Sequence, residues 1–213
     1  MENQINLNKF MMTNNAKKVV KEMDRDIFPM PVQDKLDNSL LDNHTHFLVG
    51  EIEEENVLKA IQWIIYENTV CPEDTVLSLY VNSFGGDLYQ AFALIDVMRL
   101  SKIQIQTIGI GAVMSAGFLI FASGTKGLRC ITENCGIMCH QYSDTYEGKH
   151  HDLKSFAKEA ELSNRRMVDI LEKASGLTAR EVKSKLLSPS DVWLDADELV
   201  KFGIADVIRS EEH

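Results

Sequence analysis

The stretch Gly111-Ala112-Val113-Met114-Ser115-Ala116-Gly117 places one serine among small and apolar residues, and an apolar run follows it at 118–121. We predict that an extended segment turns into a buried helix at this serine. The first N–H groups of a helix have no acceptor within it, so they can stabilise negative charge nearby. Ser115 is therefore a candidate nucleophile, although an isolated serine at a helix start is more often an N-cap.

Strand and helix patterns alternate outward from this turn. A helical pattern at 54–68 and an apolar strand pattern at 76–81 precede it, and strand patterns at 128–131 and 137–140 follow it. A long amphipathic helix is predicted for 152–175. This order of elements is typical of βαβ units, so the predicted fold class is α/β with a parallel sheet.

The domain organisation follows from length and from the prolines near the N-terminus. A chain of 213 residues suits one domain with a full core, which we expect to span residues 31–213. Residues 1–30 are polar and mixed in charge, and Pro29 and Pro31 interrupt any helix there. We predict an N-terminal arm or a removable leader for this segment, and a short helix at 38–41.

The charge of the chain limits its partners. The net charge is −10 and no basic block is present, which argues against nucleic acid and anionic membranes as partners. No apolar run approaches the roughly 20 residues that span a bilayer. No basic region followed by an apolar core marks a secretory signal, so we expect a cytoplasmic protein.

The four cysteines are Cys71, Cys130, Cys135 and Cys139. The pair Cys135 and Cys139, next to His140, resembles a zinc motif. However, strand spacing would separate these two cysteines by about 13 Å, which is too far to share one ion. We therefore expect four reduced, mostly buried thiols, and neither a metal nor a cofactor.

Three further positions could form a catalytic site together with Ser115. His140 ends an otherwise apolar strand, Asp191 lies in a loop, and Gly85-Gly86 connect a buried strand to a helix. Acyl transfer by a serine needs a base, a group that holds the base and N–H donors for an oxyanion. Each of these residues by itself is more often structural, so the hypothesis of a catalytic site depends on their combination.

Four motifs in the same order make the chain resemble the ClpP family of Clp protease proteolytic subunits. They are Asn82-Ser83-Phe84-Gly85-Gly86, the serine stretch 111–117, Met138-Cys139-His140-Gln141, and Asp191 with the closing Phe202-Gly203-Ile204-Ala205-Asp206. The resemblance covers about residues 38–208. It implies a crotonase-like spiral of βαβ units with a protruding handle at about 141–175, in which 141–151 is the handle strand region and 152–175 the handle helix.

The resemblance also implies roles for single residues. Ser115 matches the family nucleophile, His140 the general base and Asp191 the acid that orients the base. Gly86 and Ala116 match the two backbone oxyanion donors. We further expect an extended substrate to lie beside Gly85-Gly86 and to add a strand to an exposed edge of the sheet.

The partners are implied by the same resemblance. Two heptameric rings would stack into a tetradecamer that encloses the active sites, and an AAA+ unfoldase would feed it unfolded polypeptide. The chain contains no GxxxxGK[ST] motif, so ATP-dependent unfolding must come from a partner.

The chain departs from the family pattern at several positions. Phe84 and Tyr142 replace family prolines, and Ser190 replaces the basic residue before the catalytic acid. The segment from Pro29 to Leu41 is also shorter than the usual axial loop region. These departures suggest a divergent or phage-encoded member, and they leave ring-to-ring coupling and docking of a standard unfoldase open.

Other functions of the same fold remain as alternatives. A viral head-maturation serine protease would act on an assembling scaffold and would need no unfoldase. A catalytically inactive ring partner is disfavoured because Ser115, His140 and Asp191 are all present. A crotonase-type acyl-CoA enzyme would share the oxyanion glycines but would not need a Ser–His–Asp set.

Overall fold

The structure is a computed structural model that describes residues 30–210. The chain divides into two units at Asn43, and each is described by itself. In the first, helix α1 (Val32–Asp42) begins after Pro31 and is longer than the helix predicted at 38–41. The predicted arm or leader, except Met30, lies outside the described residues.

The second unit, from His44 onward, alternates strands and helices. In chain order its elements are β1 (Thr45–Ile52), α2 (Glu54–Val70), β2 (Val76–Gly86), α3 (Leu88–Leu100), β3 (Gln104–Met114), α4 (Ala116–Ala122), β4 (Arg129–Thr132), β5 (Gly136–Cys139), α5 (His150–Ala174), α6 (Ala179–Lys185), β6 (Val192–Leu194), α7 (Ala196–Lys201) and β7 (Val207–Arg209). The predicted α/β class is confirmed.

A mostly parallel sheet runs through this unit in the order β1-β2-β3-β4-β7. Different parts of strand β3 pair with different strands. Residues 107–109 pair with β4, and residues 112–114 pair with β5. The sheet therefore splits just before Ser115, and the branch formed by β5 follows the end of β3. Strand β6 then adds to β5 in the antiparallel direction.

Helix α4 lies at the centre of the core. All seven of its residues are buried, and Phe118 and Phe121 have no exposed surface. Burying one such side chain contributes about 1.5–3 kcal/mol. The backbone around Ser115 is thus attached to one of the best-packed segments of the fold.

The closing motif that ends at Asp206 holds a buried arginine. Arg129, at the start of β4, donates from Nε and Nη2 to the two carboxylate oxygens of Asp206, at 2.9 and 2.7 Å. It also donates to the carbonyl oxygens of Ala174 and Gly203. Burial raises the pKa of Asp206, but the hydrogen bonds from Arg129 outweigh this effect, and the net pKa is lowered.

The long helix α5 is buried only in its second half. Its buried residues run from Ser163 to Leu171, whereas most of the first half is exposed. This agrees with a helix that projects from the domain.

Residues 140–149 form neither helix nor strand, so the handle strand region that the resemblance implies is not a strand here. Among the described helices, none has the length and apolarity needed to cross a membrane.

One further strand was not predicted from the sequence, and the four cysteines are buried to different degrees. Strand β6 was not predicted, because three residues are too few to show a period of two. The cysteines are all unpaired, but Cys71 is only partly buried, whereas the other three are buried.

Candidate active site

Ser115 occupies the junction between β3 and α4 in an unusual backbone conformation. Its φ is 52° and its ψ is −121°, a region that residues other than glycine rarely adopt. It stands at the N-cap position, yet its hydroxyl caps no N–H group of the helix. The alternative of an ordinary capping serine is therefore wrong, and the hydroxyl is free for another partner.

That partner is His140. Its Nε2 atom lies 2.8 Å from Oγ of Ser115. The pairing follows from the split sheet, because Met114 of β3 is paired with Met138 of β5, and the Ser115 N–H donates to the Met138 carbonyl at 3.0 Å. The strand ends therefore bring together two residues that are 25 positions apart.

The other ring nitrogen defines the tautomer of His140. Nδ1 lies 2.5 Å from the carbonyl oxygen of Gln141, and a carbonyl oxygen can only accept. In the neutral ring Nδ1 therefore carries the proton, and Nε2 keeps its lone pair. The Ser115 hydroxyl then donates to Nε2, which is the direction that removal of the serine proton requires.

The register of β5 and β6 places Asp191 near this pair, but its carboxylate forms no hydrogen bond with His140 among the described residues. Val192 of β6 is paired with Cys139 of β5, so continuing this antiparallel register by one residue places Asp191 opposite His140. Side chains at such opposed positions have Cβ atoms about 5 Å apart. The carboxylate is exposed, and within residues 30–210 no hydrogen bond joins it to His140.

Gly85 lies directly against the serine. A Cβ atom at this position would lie 2.6 Å from Cβ of Ser115 and 3.3 Å from the backbone nitrogen of Ala116. At Gly86, where φ is +145°, a Cβ atom would collide with the backbone of Ile52. The two glycines thus allow the end of β2 to pass between β1 and the serine turn.

Gly86 and Ala116 both line a cavity of about 350 Å³ that also contains Ser115 and His140. Ala116 is the first residue of α4, so its N–H has no acceptor within the helix. Four of the predicted site residues thus line one cavity, namely Gly86, Ser115, Ala116 and His140. Gly85 does not line it but packs against Ser115.

The far wall of the cavity comes from residues that the sequence reasoning did not assign to the site. Tyr89, Tyr142, Ser143, Asp144 and Met167 line it. No short motif marks these residues, because they come from three separate elements.

A hydrogen-bond network supports this wall. Glu159, on helix α5, accepts hydrogen bonds of 2.7 Å from Tyr89, Tyr146 and Ser163. Tyr146 in turn bonds to the hydroxyl of Tyr142 at 2.7 Å. The bonds from Ser163 and Tyr146 lower the pKa of Glu159, so the acceptor stays ionised at neutral pH. The exposed helix is thereby connected to the cavity.

Comparisons with known proteins give two matches for this chain. The model of the Clp protease family, described as "Clp protease", matches residues 29–212. Among curated proteins, the chain is 30% identical over 182 residues to ATP-dependent Clp protease proteolytic subunit 1 of Leifsonia xyli subsp. xyli (strain CTCB07). That alignment covers 84% of this chain and 90% of the relative.

Proposed function

Because the chain belongs to the Clp protease family and is a serine peptidase, we propose that it cleaves unfolded polypeptides through an acyl-enzyme on Ser115. The observation that carries this assignment is the distance of 2.8 Å between Ser115 Oγ and His140 Nε2. This serine has no capping bond, and its neighbour is a base in the required tautomer.

In the proposed reaction, Nε2 of His140 takes the hydroxyl proton while Ser115 Oγ attacks the peptide carbonyl. The backbone N–H groups of Gly86 and Ala116 stabilise the oxyanion that forms, as suggested by their place in the cavity wall. His140 then gives the proton to the leaving amine, and water hydrolyses the acyl-enzyme by the same steps.

Asp191 is proposed to orient and stabilise the charged ring. When His140 becomes an imidazolium, a carboxylate near Nδ1 lowers the energy of that ion. The position of Asp191 opposite His140 in the strand register supports this role. The exposed carboxylate would have to turn toward Nδ1, where the carbonyl of Gln141 is now the partner.

Substrate is proposed to bind as an extended strand beside Gly85-Gly86. Main-chain hydrogen bonds of this kind bind a peptide with little dependence on its sequence. The cavity is large enough for one side chain next to the serine, since its volume is about 350 Å³.

The proposal includes assembly and a partner. Two heptameric rings stacked as a tetradecamer, fed by an AAA+ unfoldase in the cytoplasm, fit the family. Large apolar side chains at the surface, such as Phe84, Leu100 and Trp193, are the type that subunit contacts bury. The family match favours this reading over the viral head-maturation protease, and the Ser115–His140 pair has no use in an acyl-CoA enzyme.

The test is hydrolysis of a short fluorogenic peptide by the purified chain, without an ATPase. We expect Ser115→Ala to abolish hydrolysis and Ser123→Ala, which changes a serine at the other end of α4, to retain it. A fluorophosphonate reagent should label the wild type on Ser115 and leave Ser115→Ala unlabelled. Equal hydrolysis by the wild type and Ser115→Ala would contradict the assignment.

A further inference from the structure

Three metal-ligating side chains meet at the start of β1 and the end of α2, and none of them lines the cavity beside Ser115. Nδ1 of His44 lies 2.9 Å from Oε2 of Glu67. Sγ of Cys71 lies 2.9 Å from the same carboxylate oxygen and 3.6 Å from Nδ1 of His44. One nitrogen, one oxygen and one sulfur atom thus form a small triangle.

The local backbone explains why these atoms converge. Glu67 and Cys71 are four residues apart at the end of α2, so they lie on the same helical face. His44 precedes β1 with a φ of 51°. Among residues 30–210, only His44 and Ser115 combine a positive φ with a side chain, and Ser115 is the candidate nucleophile. Such backbone conformations are costly and cluster at functional sites.

The carboxylate of Glu67 is the buried centre of the cluster. It is only 1% exposed. Its second oxygen accepts a hydrogen bond of 3.1 Å from Nε1 of Trp63, which fixes the orientation of the carboxylate. Among residues 30–210, Trp63, Cys71 and His44 are side-chain donors to Glu67, and none of these three carries a permanent positive charge. A buried carboxylate in such a setting is stabilised by a cation.

We propose that His44, Glu67 and Cys71 bind one zinc ion, with a water molecule as the fourth ligand. Bonds of about 2.0–2.3 Å in a tetrahedral site separate ligand atoms by about 3.3–3.7 Å. The distance of 3.6 Å between Cys71 and His44 already fits, and the two contacts of Glu67 need to open by about half an ångström. A set of one sulfur, one nitrogen and one oxygen ligand suits zinc rather than calcium or magnesium.

A zinc ion could reach this site from solvent, and the negative charges of the Glu67 carboxylate and the Cys71 thiolate would balance its charge. The His44 side chain is 35% exposed, which leaves a path for the ion and its water ligand. Without metal, the Cys71 thiol donates its proton to Oε2 of Glu67, with Sγ at 2.9 Å. Zinc takes the place of that proton, which is released to solvent as the thiolate forms. The ion would join the end of α2 to the start of β1.

The first experiment titrates the metal-free full-length chain with Co²⁺, whose bond to a thiolate gives a charge-transfer absorption band. We expect one Co²⁺ per chain and displacement of the band by Zn²⁺. Cys71→Ser, which keeps a donor to Glu67, should lose the band, and the control Cys130→Ser, changed in β4, should keep it. A band that persists in Cys71→Ser, or no band in the wild type, would overturn the proposal.

The second experiment measures thermal unfolding with and without Zn²⁺. Zinc should raise the unfolding midpoint of the wild type and of His151→Asn, a control on the exposed part of α5. It should not raise the midpoint of His44→Asn, because asparagine tolerates the positive φ but supplies no imidazole. The affinity of the His44→Asn variant for zinc should fall at least about tenfold. An equal shift in the wild type and His44→Asn would exclude His44 as a ligand.

Discussion

The Nε2 atom of His140 lies 2.8 Å from Oγ of Ser115, and the pairing of β3 with β5 brings the two residues together. The Ser115 N–H is bonded to the Met138 carbonyl, and the Gln141 carbonyl holds the ring in its tautomer. The candidate nucleophile and its candidate base are thus in contact without a hydrogen bond from Asp191 to His140. The proposed role of Asp191 is therefore separate from the formation of the Ser115–His140 hydrogen bond.

Replacing Asp191 by asparagine tests that separation. Asp191→Asn should fold normally, because the carboxylate is exposed. It should lower kcat on the order of 10³–10⁴-fold, because an amide does not stabilise the imidazolium that forms during attack. The measurement is peptide hydrolysis, with the exposed Asp197→Asn as the control. Near-normal turnover would remove Asp191 from the mechanism.

Adding a methyl group at Gly85 should displace the nucleophile. Its Cβ atom would lie 2.6 Å from Cβ of Ser115, and a shift of about 1 Å can cost on the order of 10²-fold in rate. Gly127→Ala is a matched control, since its φ is +93° but open space surrounds it. The control should show only the strain of the backbone, about 1 kcal/mol, in urea unfolding. Similar activities of the two variants would refute the close contact.

The backbone of Ser115 should store strain that glycine relieves. Ser115→Gly and Ser115→Ala both lose the nucleophile, but only glycine accepts a φ of 52° with a ψ of −121° without cost. We expect Ser115→Gly to be more stable than Ser115→Ala by about 1 kcal/mol in the free energy of unfolding. Greater stability of the alanine variant would show that the turn is unstrained.

The pairing of Arg129 with Asp206 should make stability depend on pH. The folded pKa of Asp206 is lower than its unfolded value, so the unfolded state binds its proton more readily. Its contribution is therefore fully present above the ordinary pKa of 3.8 and is lost as the pH falls through the lower, folded pKa.

Asp206→Asn should accordingly lower the free energy of unfolding at neutral pH by about 3 kcal/mol, because it leaves Arg129 buried without its counter-charge. The difference from the wild type should shrink in acid. Urea unfolding at several pH values measures both effects, with Asp197→Asn as the control. A difference that stayed constant down to acid pH would mean that the charge of Asp206 is not what matters.

The network around Glu159 should influence substrate binding more than chemistry. Glu159→Gln loses acceptor capacity for Tyr89, Tyr146 and Ser163, so the wall formed by Tyr142 should become less ordered. We expect KM for a peptide to rise several-fold with a smaller change in kcat. The exposed neighbour Glu161→Gln is the control, and an unchanged KM in Glu159→Gln would disprove the connection.

Much of the fold and the candidate site could be predicted from the sequence because the relevant signals are local. Alternating apolar residues and glycine turns identified the strands and helices on both sides of Ser115, and the four ordered motifs indicated the family. Ser115, His140 and Gly85-Gly86 were singled out as candidates by their combination and by the family resemblance. These properties depend on neighbours within a few residues, which is the distance that periodicity can report.

Only the tertiary structure decided how distant groups meet. The capping alternative for Ser115 could be rejected only when its hydroxyl was seen to face His140. The three-residue strand β6, the buried pair Arg129–Asp206 and the cluster at His44 each join segments whose separation in sequence carries no pattern. The physical reason is that hydrogen bonds and ligand sets form across sheet register and helix packing, and the complete fold determines both.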